Sequence, residues 1–204
     1  MPALERLLLD LETQGWAVSD DIFPPDLAHR LRAESEQRWQ LGHFHDARIG
    51  RRQSQARNTA IRGDAICWLE ADDPYPGSRA FQAWAAHLLH ALNRHFFAGL
   101  RRLECHYARY GSGAGYARHI DQHVGSPHRK LSLVLYLNPD WTAADGGELA
   151  IHDPDNPDIE TARVLPMLGR LVMFRSDITA HAVLPGKRAR WSLTGWFRTD
   201  DAVL

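Results

Sequence analysis

The fold is decided by residues 171–198, which read LVMFRSDITAHAVLPGKRARWSLTGWFR. This stretch contains three short runs of mainly apolar residues, separated by turn-forming and basic residues. Short runs of this kind are typical of β-strands in sandwiches and barrels. The same pattern extends back to Leu103 and predicts eight strands: Leu103–Tyr110, Gly115–Asp121, Leu131–Asn138, Gly147–His152, Ala162–Pro166, Leu171–Phe174, Thr179–Pro185 and Arg190–Arg198. The second half of the chain is therefore expected to form an all-β core.

The first hundred residues show helical rather than strand periodicity. Leucines at positions 4, 7, 8 and 11, for example, lie on one face of a helix. Three helices are predicted: Ala3–Gln14, Pro25 to about Leu41, and about Arg79 to Phe97. Since no linker separates the two halves, we expect one α+β domain over residues 1–204, with 1–100 as mainly helical support and 101–200 as the β core.

The composition argues against several classes of protein. The chain has 204 residues, a net charge of −1, a pI near 6.9 and two cysteines. A near-neutral charge is not typical of nucleic-acid or anionic-membrane binders, which usually need a positive field. No apolar run is long enough to span a bilayer, and acidic residues interrupt the apolar N-terminal stretch. We therefore expect a cytoplasmic monomer with reduced thiols.

One segment stands out by its charge. Ala47–Gly63 contains five arginines and no acidic residue. A run of this kind is usually a solvated loop. The alternative is a flexible arm that contacts an acidic or backbone-rich macromolecular partner, and the residues alone leave both interpretations open.

Among twelve histidines, one stands beside a carboxylate in a predicted strand. In His119-Ile120-Asp121, the first and third side chains are expected to project from one face, with Ile120 on the other. His181, on a distant strand, is the best candidate for a third ligand. Two imidazoles and one carboxylate form a facial triad, which favours Fe(II) in oxygen-activating enzymes. The alternative is a hydrolytic zinc site assembled from neighbouring residues: His119, Asp121, His123, His128 and His152.

A single arginine opens the last predicted strand. Arg190 follows His181 by nine residues and has no acidic neighbour in the sequence. An arginine buried in a β core needs an anionic partner, because an unpaired charge is costly there. A dicarboxylate ligand, with one end on the metal and the other held by the guanidinium, would supply that partner. An ordinary salt bridge to a distant Asp or Glu is the alternative.

Four blocks resemble a known family. They are residues 61–68 (IRGDAICW), 110–121 (YGSGAGYARHID), 135–141 (LYLNPDW) and 146–149 (GGEL). Together they resemble the 2-oxoglutarate- and Fe(II)-dependent dioxygenases, most closely the prolyl hydroxylases of the hypoxia-sensing type and their bacterial relatives. The resemblance covers roughly residues 60–200. It implies a distorted double-stranded β-helix, or jelly roll, with helices supporting one sheet.

The resemblance also implies roles for individual residues. His119, Asp121 and His181 would hold the iron, and Arg190 with Tyr136 would bind the distal carboxylate of 2-oxoglutarate. The remaining pocket residues would be Tyr110, Leu149 and Trp196. On the substrate side the resemblance implies a set of further residues: Arg51, Arg52, Arg62, Asp64, Trp68 and Arg129. Asp64 and Arg129 correspond to positions that pair in the family, and the arginine-rich segment to a finger loop that closes over a peptide.

The implied activity is a dioxygenase reaction that uses Fe(II), 2-oxoglutarate and O2, with ascorbate in support, and releases succinate and CO2. A protein prolyl hydroxylase is the first hypothesis, with elongation factor Tu as the suggested substrate. The same chemistry on a free amino acid, another small molecule or a methylated nucleic acid is an alternative. A non-catalytic iron or 2-oxoglutarate sensor is a third hypothesis, which the intact ligand set disfavours.

Overall fold

A computed structural model describes residues 1–47, 61–122, 125 and 127–201. Its helices are α1 (Ala3–Gln14), α2 (Pro25–Gln40) and α3 (Pro76–Phe96). All three helices were predicted. The third begins at Pro76, three residues before the predicted start, because proline is well tolerated at the first turn, where its missing N–H has no partner to lose.

The described residues form eleven strands in two antiparallel sheets. They are β1 (Trp16–Ser19), β2 (His45–Asp46), β3 (Asp64–Trp68), β4 (Arg102–Tyr110), β5 (Tyr116–His119), β6 (Arg129–Tyr136), β7 (Leu149–His152), β8 (Glu160–Val164), β9 (Leu171–Arg175), β10 (His181–Val183) and β11 (Arg190–Arg198). The large sheet has the order β1-β9-β6-β11-β4-β3-β2, and the small sheet β5-β10-β7-β8. This arrangement confirms the predicted jelly-roll core.

The prediction that the first half of the chain is mainly helical missed three strands. β1 pairs with β9, β3 pairs with β4, and β2 pairs with β3 at the edge of the large sheet. These strands have two to five residues. Segments this short carry little periodicity, and their strand conformation depends on hydrogen bonds to partners far along the chain.

Alternating side chains of the large sheet separate two apolar cores. On β6, Leu131, Leu133 and Leu135 pack with the helices, whereas Val134 and Tyr136 face the small sheet. The alternation follows from the two-residue period of a strand. The helices therefore cover one face of the large sheet, and the space between the sheets is left for the candidate site.

A buried polar network joins α2 to the start of α3. Glu34 accepts hydrogen bonds from the backbone N–H groups of Gly77 (2.9 Å) and Ser78 (3.1 Å). Arg38 donates to Asp73 (2.5 Å) and Ser78 (3.1 Å). Glu34 thus pairs with N–H groups in the first turn of α3 that have no partner within the helix, and its charge offsets the positive end of the helix dipole. Among the described residues, no helix has the length and apolarity needed to cross a membrane.

Candidate metal centre and its pocket

A cavity of about 1250 Å³ lies between the two sheets. Its walls include Tyr110 and Val134 from the large sheet and Leu149 and Val183 from the small one. A volume of this order is enough for a small ligand together with part of a larger substrate. All three predicted metal ligands lie in its wall.

His119, Asp121 and His181 converge on one point. Each offers one ligand atom, and these atoms lie within 4.8 Å of one another. The Oδ1 atom of Asp121 is 3.5 Å from Nε2 of His119 and 3.8 Å from Nε2 of His181. β10 pairs with β5 so that His181 lies directly opposite His119. In the part of the chain that the structure describes, this is the one cluster of His, Cys, Asp or Glu with metal-binding geometry.

The local geometry of His119-Ile120-Asp121 differs from the prediction. β5 ends at His119, so Asp121 lies beyond the strand. Ile120 is 41% exposed instead of packing in the opposite layer. The prediction extended ideal strand geometry by two residues too many. A turn after His119, not strand alternation, brings the Asp121 carboxylate beside the imidazole.

Backbone carbonyls orient both imidazoles in the same way. Nδ1 of His119 lies 2.8 Å from the carbonyl oxygen of Ala117, and Nδ1 of His181 lies 3.0 Å from that of Thr179. Each Nδ1–H therefore donates to a carbonyl two residues earlier. This leaves both Nε2 atoms facing Asp121, available as the ligand atoms of the two imidazoles.

The Asp121 carboxylate is held by its second oxygen. The Ser132 hydroxyl donates to Oδ2 at 2.6 Å, and Ser176 lies 2.8 Å from the Ser132 hydroxyl. Oδ1, the atom nearest both imidazoles, is thereby directed towards the centre of the triad. Ser132 and Ser176 were not among the predicted residues. The alternation on β6 could have identified Ser132, since it shares a face with Val134 and Tyr136.

The charges of the triad suit a divalent cation. Burial acts to raise the pKa of Asp121, but His181, His119 and Ser132 outweigh it and hold that pKa well below the usual range. Burial lowers the pKa of His181 to about 4, against the opposing pull of Asp121. At neutral pH the triad therefore offers a carboxylate and at least one neutral, buried imidazole.

The other end of the cavity is built around Arg190. This side chain is 2% exposed, and its Nε donates to the carbonyl oxygen of Gly147 at 2.9 Å. The guanidinium lies 4.9 Å from the ring centre of Tyr136 and 5.2 Å from that of Tyr110. Among the described residues Arg190 forms no ion pair with a carboxylate. The predicted alternative of an ordinary salt bridge therefore has no partner in this part of the structure.

Tyr136 adds a second unsatisfied group at this end. Its hydroxyl is buried and has no hydrogen-bond partner of good geometry among the described residues. Burial raises the pKa of Tyr136, and the charge of Arg190 opposes that rise, so the hydroxyl stays a proton donor at neutral pH. A buried donor beside an uncompensated guanidinium fits a carboxylate ligand.

Known proteins are similar to this chain in sequence and fold. A family model described as the 2OG-Fe(II) oxygenase superfamily matches residues 105–198. A prolyl-4-hydroxylase structure from Pseudomonas putida is 37% identical, with a TM-score of 0.86, over 97% of this chain and 100% of that one. The chain belongs to the 2OG-Fe(II) oxygenase superfamily.

Two further proteins are similar to this oxygenase over almost its whole length. The Trichoplax adhaerens prolyl hydroxylase, solved with a hypoxia inducible factor peptide fragment, is 25% identical with a TM-score of 0.86, over 96% of this chain and 89% of that one. Egl nine homolog 1 of Rattus norvegicus is 28% identical over 98% of this chain. The chain spans 60% of that relative's length, and 47% of the length of its Homo sapiens counterpart.

The oxygenase cavity fits both cofactors of the superfamily. Two imidazole nitrogens and one carboxylate oxygen are the donor set that suits Fe(II) with open coordination positions. Arg190 lines the same cavity and lies beside the unpaired Tyr136 hydroxyl, and together the two groups fit the distal carboxylate of 2-oxoglutarate. Both groups thus find residues of the right chemistry.

The predicted pairing of Asp64 with Arg129 is wrong. Asp64 accepts two hydrogen bonds from Arg62, at 2.7 and 3.0 Å. Arg129 instead lies 3.5 Å from Glu104 and stacks over Trp196, with its guanidinium carbon 3.5 Å from the ring centre. Arg62 pairs with Asp64 because the side chains of residues i and i+2 in an extended backbone project from the same face.

One part of the cavity wall is aromatic. Trp68 and Trp196, both predicted site residues, enclose His106, whose ring centre lies 4.8 and 5.4 Å from theirs. Burial, with Arg62 and Arg129 in support, lowers the pKa of His106 to about 3. No role was predicted for His106. His106 lies two residues before Ala108 and four residues before Tyr110 on β4, and this spacing indicates that the three side chains share one face of the strand.

Of the remaining predicted residues, the two histidines that the structure describes do not join the triad. Arg51, Arg52 and His123 lie outside the described residues. His128 is exposed, and His152 is half-buried on β7. Neither belongs to the metal-binding cluster. The described residues therefore offer no support for the alternative zinc site.

Proposed function

We propose that this protein is an Fe(II)- and 2-oxoglutarate-dependent prolyl hydroxylase that acts on a protein substrate. One observation carries the proposal. Arg190, which is buried and has no carboxylate partner among the described residues, lies in the same cavity as the His119–Asp121–His181 cluster. The first feature suits an anion and the second could hold a divalent metal, so 2-oxoglutarate is a ligand that would satisfy both. The Pseudomonas putida and Trichoplax adhaerens prolyl hydroxylases support the reaction type.

In this proposal two Nε2 atoms and Oδ1 of Asp121 would hold Fe(II). Arg190 and Tyr136 would hold the distal carboxylate of 2-oxoglutarate, and Tyr110 and Leu149 would form the wall beside it. Together the cofactors supply an oxidation in which O2 places one oxygen atom on a substrate C–H and the other in succinate, with loss of CO2. The residues of the chain orient the ligands and exclude water. Ascorbate is proposed as a supporting reductant.

The substrate would enter over the aromatic end of the cavity. Trp68, Trp196 and Arg129 line that end, and Arg129 has only a long contact of 3.5 Å to an acidic partner. A flat aromatic wall and a spare guanidinium suit a proline ring and a peptide carbonyl. Arg51, Arg52, Arg62 and Asp64 are proposed as further substrate residues. We propose elongation factor Tu as the substrate, and one catalytic domain that works as a cytoplasmic monomer.

The proposal is tested by incubating the protein with Fe(II), 2-oxoglutarate, ascorbate and purified elongation factor Tu. Mass spectrometry is expected to show the gain of one oxygen atom on a proline, in step with succinate formation. The His181→Ala variant is the matched control and is expected to form neither product. Succinate without a modified protein would refute the substrate. Absence of succinate in the presence of every tested substrate class would refute the enzyme activity and favour a sensor.

The co-substrate site is tested with Arg190→Met. This change removes the guanidinium and keeps an apolar chain of similar length. We expect the 2-oxoglutarate concentration for half-maximal succinate formation to rise at least about 30-fold, since breaking a buried charge pair costs about 2 kcal/mol or more. Metal affinity is expected to stay unchanged. An unchanged 2-oxoglutarate requirement would refute the role of Arg190.

A further inference from the structure

One of the two candidate imidazole ligands is held by a ring that the proposed reaction does not use. The Tyr116 ring stacks on His119, with 3.6 Å between the ring centres and 17° between the planes. Tyr116 opens β5 and His119 closes it. The stack therefore runs along one short strand, directly beside the triad.

The two imidazoles differ in how the protein encloses them. The His181 side chain is 6% exposed and packs on Phe174, with ring centres 4.5 Å apart. The His119 side chain is 20% exposed. Matching Nδ1 hydrogen bonds orient both rings, but only His119 is stacked on the parallel face of another aromatic ring. The Tyr116 ring covers one face of the imidazole and opposes tilting of its plane.

Tyr116 is itself anchored from outside its own strand. The Arg62 guanidinium carbon lies 4.9 Å from the Tyr116 ring centre, and Arg62 forms an antiparallel bridge with Tyr116. The N–H of Ala117 donates to the carbonyl oxygen of Ile61 at 2.8 Å. Arg62 in turn is fixed by its two hydrogen bonds to the buried Asp64. A continuous set of contacts thus runs from residues 61–64 through Tyr116 to His119.

We propose that Tyr116 is a positioning residue for the metal site. Its ring sets the plane of the His119 imidazole, so that Nε2 points at the centre of the triad, and Arg62 holds the Tyr116 ring in place. The proposal rests on the proposed function insofar as His119 is a metal ligand. It concerns the aromatic face of Tyr116 and not its hydroxyl. Groups that orient metal ligands typically contribute 10–100-fold to metal affinity, so about 10-fold is expected here.

The test uses Co(II), whose visible absorption bands report ligand geometry and whose affinity is measured by titration calorimetry. Tyr116→Leu removes the flat ring and is expected to weaken Co(II) binding about 10-fold and to change the absorption bands. Tyr116→Phe keeps the ring and is expected to bind within about twofold of the unmodified protein. If Tyr116→Leu does not fold, Tyr116→Met fills similar volume without a flat ring and carries the same expectation.

Tyr75→Leu is the matched control. Tyr75 also packs against an arginine, 4.0 Å from Arg38, but on the helical side of the large sheet. This variant is expected to bind Co(II) normally with unchanged absorption bands. Urea unfolding of each variant checks that the proteins measured are folded. Weakening by Tyr75→Leu equal to that of Tyr116→Leu would overturn the proposal, because the effect would then be general destabilisation.

Two further outcomes overturn the proposal. The first is unchanged affinity and absorption in Tyr116→Leu, which would show that the stack does not position His119. The second is equal weakening in Tyr116→Leu and Tyr116→Phe, which would assign the effect to the hydroxyl.

His181→Ala separates these failures from a failure of the proposed function. If His181→Ala abolishes Co(II) binding while Tyr116→Leu does not change it, the triad stands and only the role of Tyr116 is wrong.

Discussion

Replacing His106 with methionine is expected to remove a large part of the acid sensitivity of this protein. His106 is 2% exposed and lies between Trp68 and Trp196. Its Nδ1 is buried without a hydrogen-bond partner among the described residues. Burial and the nearby charges of Arg62 and Arg129 lower its pKa from 6.5 to about 3. The imidazole is therefore neutral in the folded protein at any pH above about 4.

The magnitude follows from the difference between the folded and unfolded states. In the unfolded chain His106 takes up a proton below pH 6.5, whereas the folded protein does so only near pH 3. The unfolded state thus binds more protons in this window, so stability falls as the pH falls from 6.5 towards 3. At pH 5 the loss from this one residue is about 2 kcal/mol relative to neutral pH. Methionine has similar volume and does not titrate.

The assay is urea unfolding at pH 7 and pH 5, in a metal chelator so that no bound ion contributes. Other titrating groups affect both proteins equally, so the difference between the unmodified protein and His106→Met isolates His106. That difference is expected to shift by about 2 kcal/mol between the two pH values. His90→Gln, at an exposed histidine on α3, is the control and is expected to show no shift. A pH-independent difference for His106→Met would refute the neutral, buried state.

Three further changes test other parts of the structure. Ser132→Ala removes the hydroxyl that donates to Oδ2 of Asp121, and calorimetry is expected to show about 10-fold weaker Co(II) binding. An unchanged affinity would contradict the role of Ser132 in orienting the Asp121 carboxylate. Arg38→Met leaves the Asp73 carboxylate, which is 2% exposed, without its charge partner. The free energy of unfolding, measured in urea, is expected to fall by about 3 to 5 kcal/mol. A loss under about 1 kcal/mol would contradict a buried ion pair. Gly115→Ala places a Cβ 2.5 Å from the carbonyl oxygen of Val183, the last residue of β10, so thermal unfolding should show a loss of about 1 to 3 kcal/mol. A neutral result would show that this contact relaxes freely.

The elements that were predicted well are those whose patterns are local. α1 and β11 have the predicted bounds, Ala3–Gln14 and Arg190–Arg198. A helix of twelve residues or a strand of nine repeats its pattern often enough to be recognised. β1, β2 and β3 were missed because they are short and gain their hydrogen bonds from distant segments.

The residues of the candidate site also divide into those with a local sequence pattern and those whose partners lie far along the chain. The short spacing of His119 and Asp121, together with the predicted strands of His181 and Arg190, indicated a metal and an anion in one β core. The ion pairs beyond these residues were not predicted. Arg62 pairs with Asp64, two residues away, which was a local signal that the sequence-based prediction missed. Arg129 approaches Glu104, 25 residues away, and only the tertiary structure brings these two together. The turn after β5 likewise overrode ideal strand alternation at Asp121.

The sequence by itself determined the types of group available and the elements that carry them: a β core, two histidines with one carboxylate, and a lone arginine at the start of β11. The family resemblance implied the jelly-roll form of that core. Only the tertiary structure decided how these groups are oriented and charged. Ser132 directs the Asp121 carboxylate, Tyr116 stacks on His119, and two indoles keep His106 neutral. The physical reason is that orientation and pKa depend on contacts and burial between residues far apart in the chain, which no local pattern records.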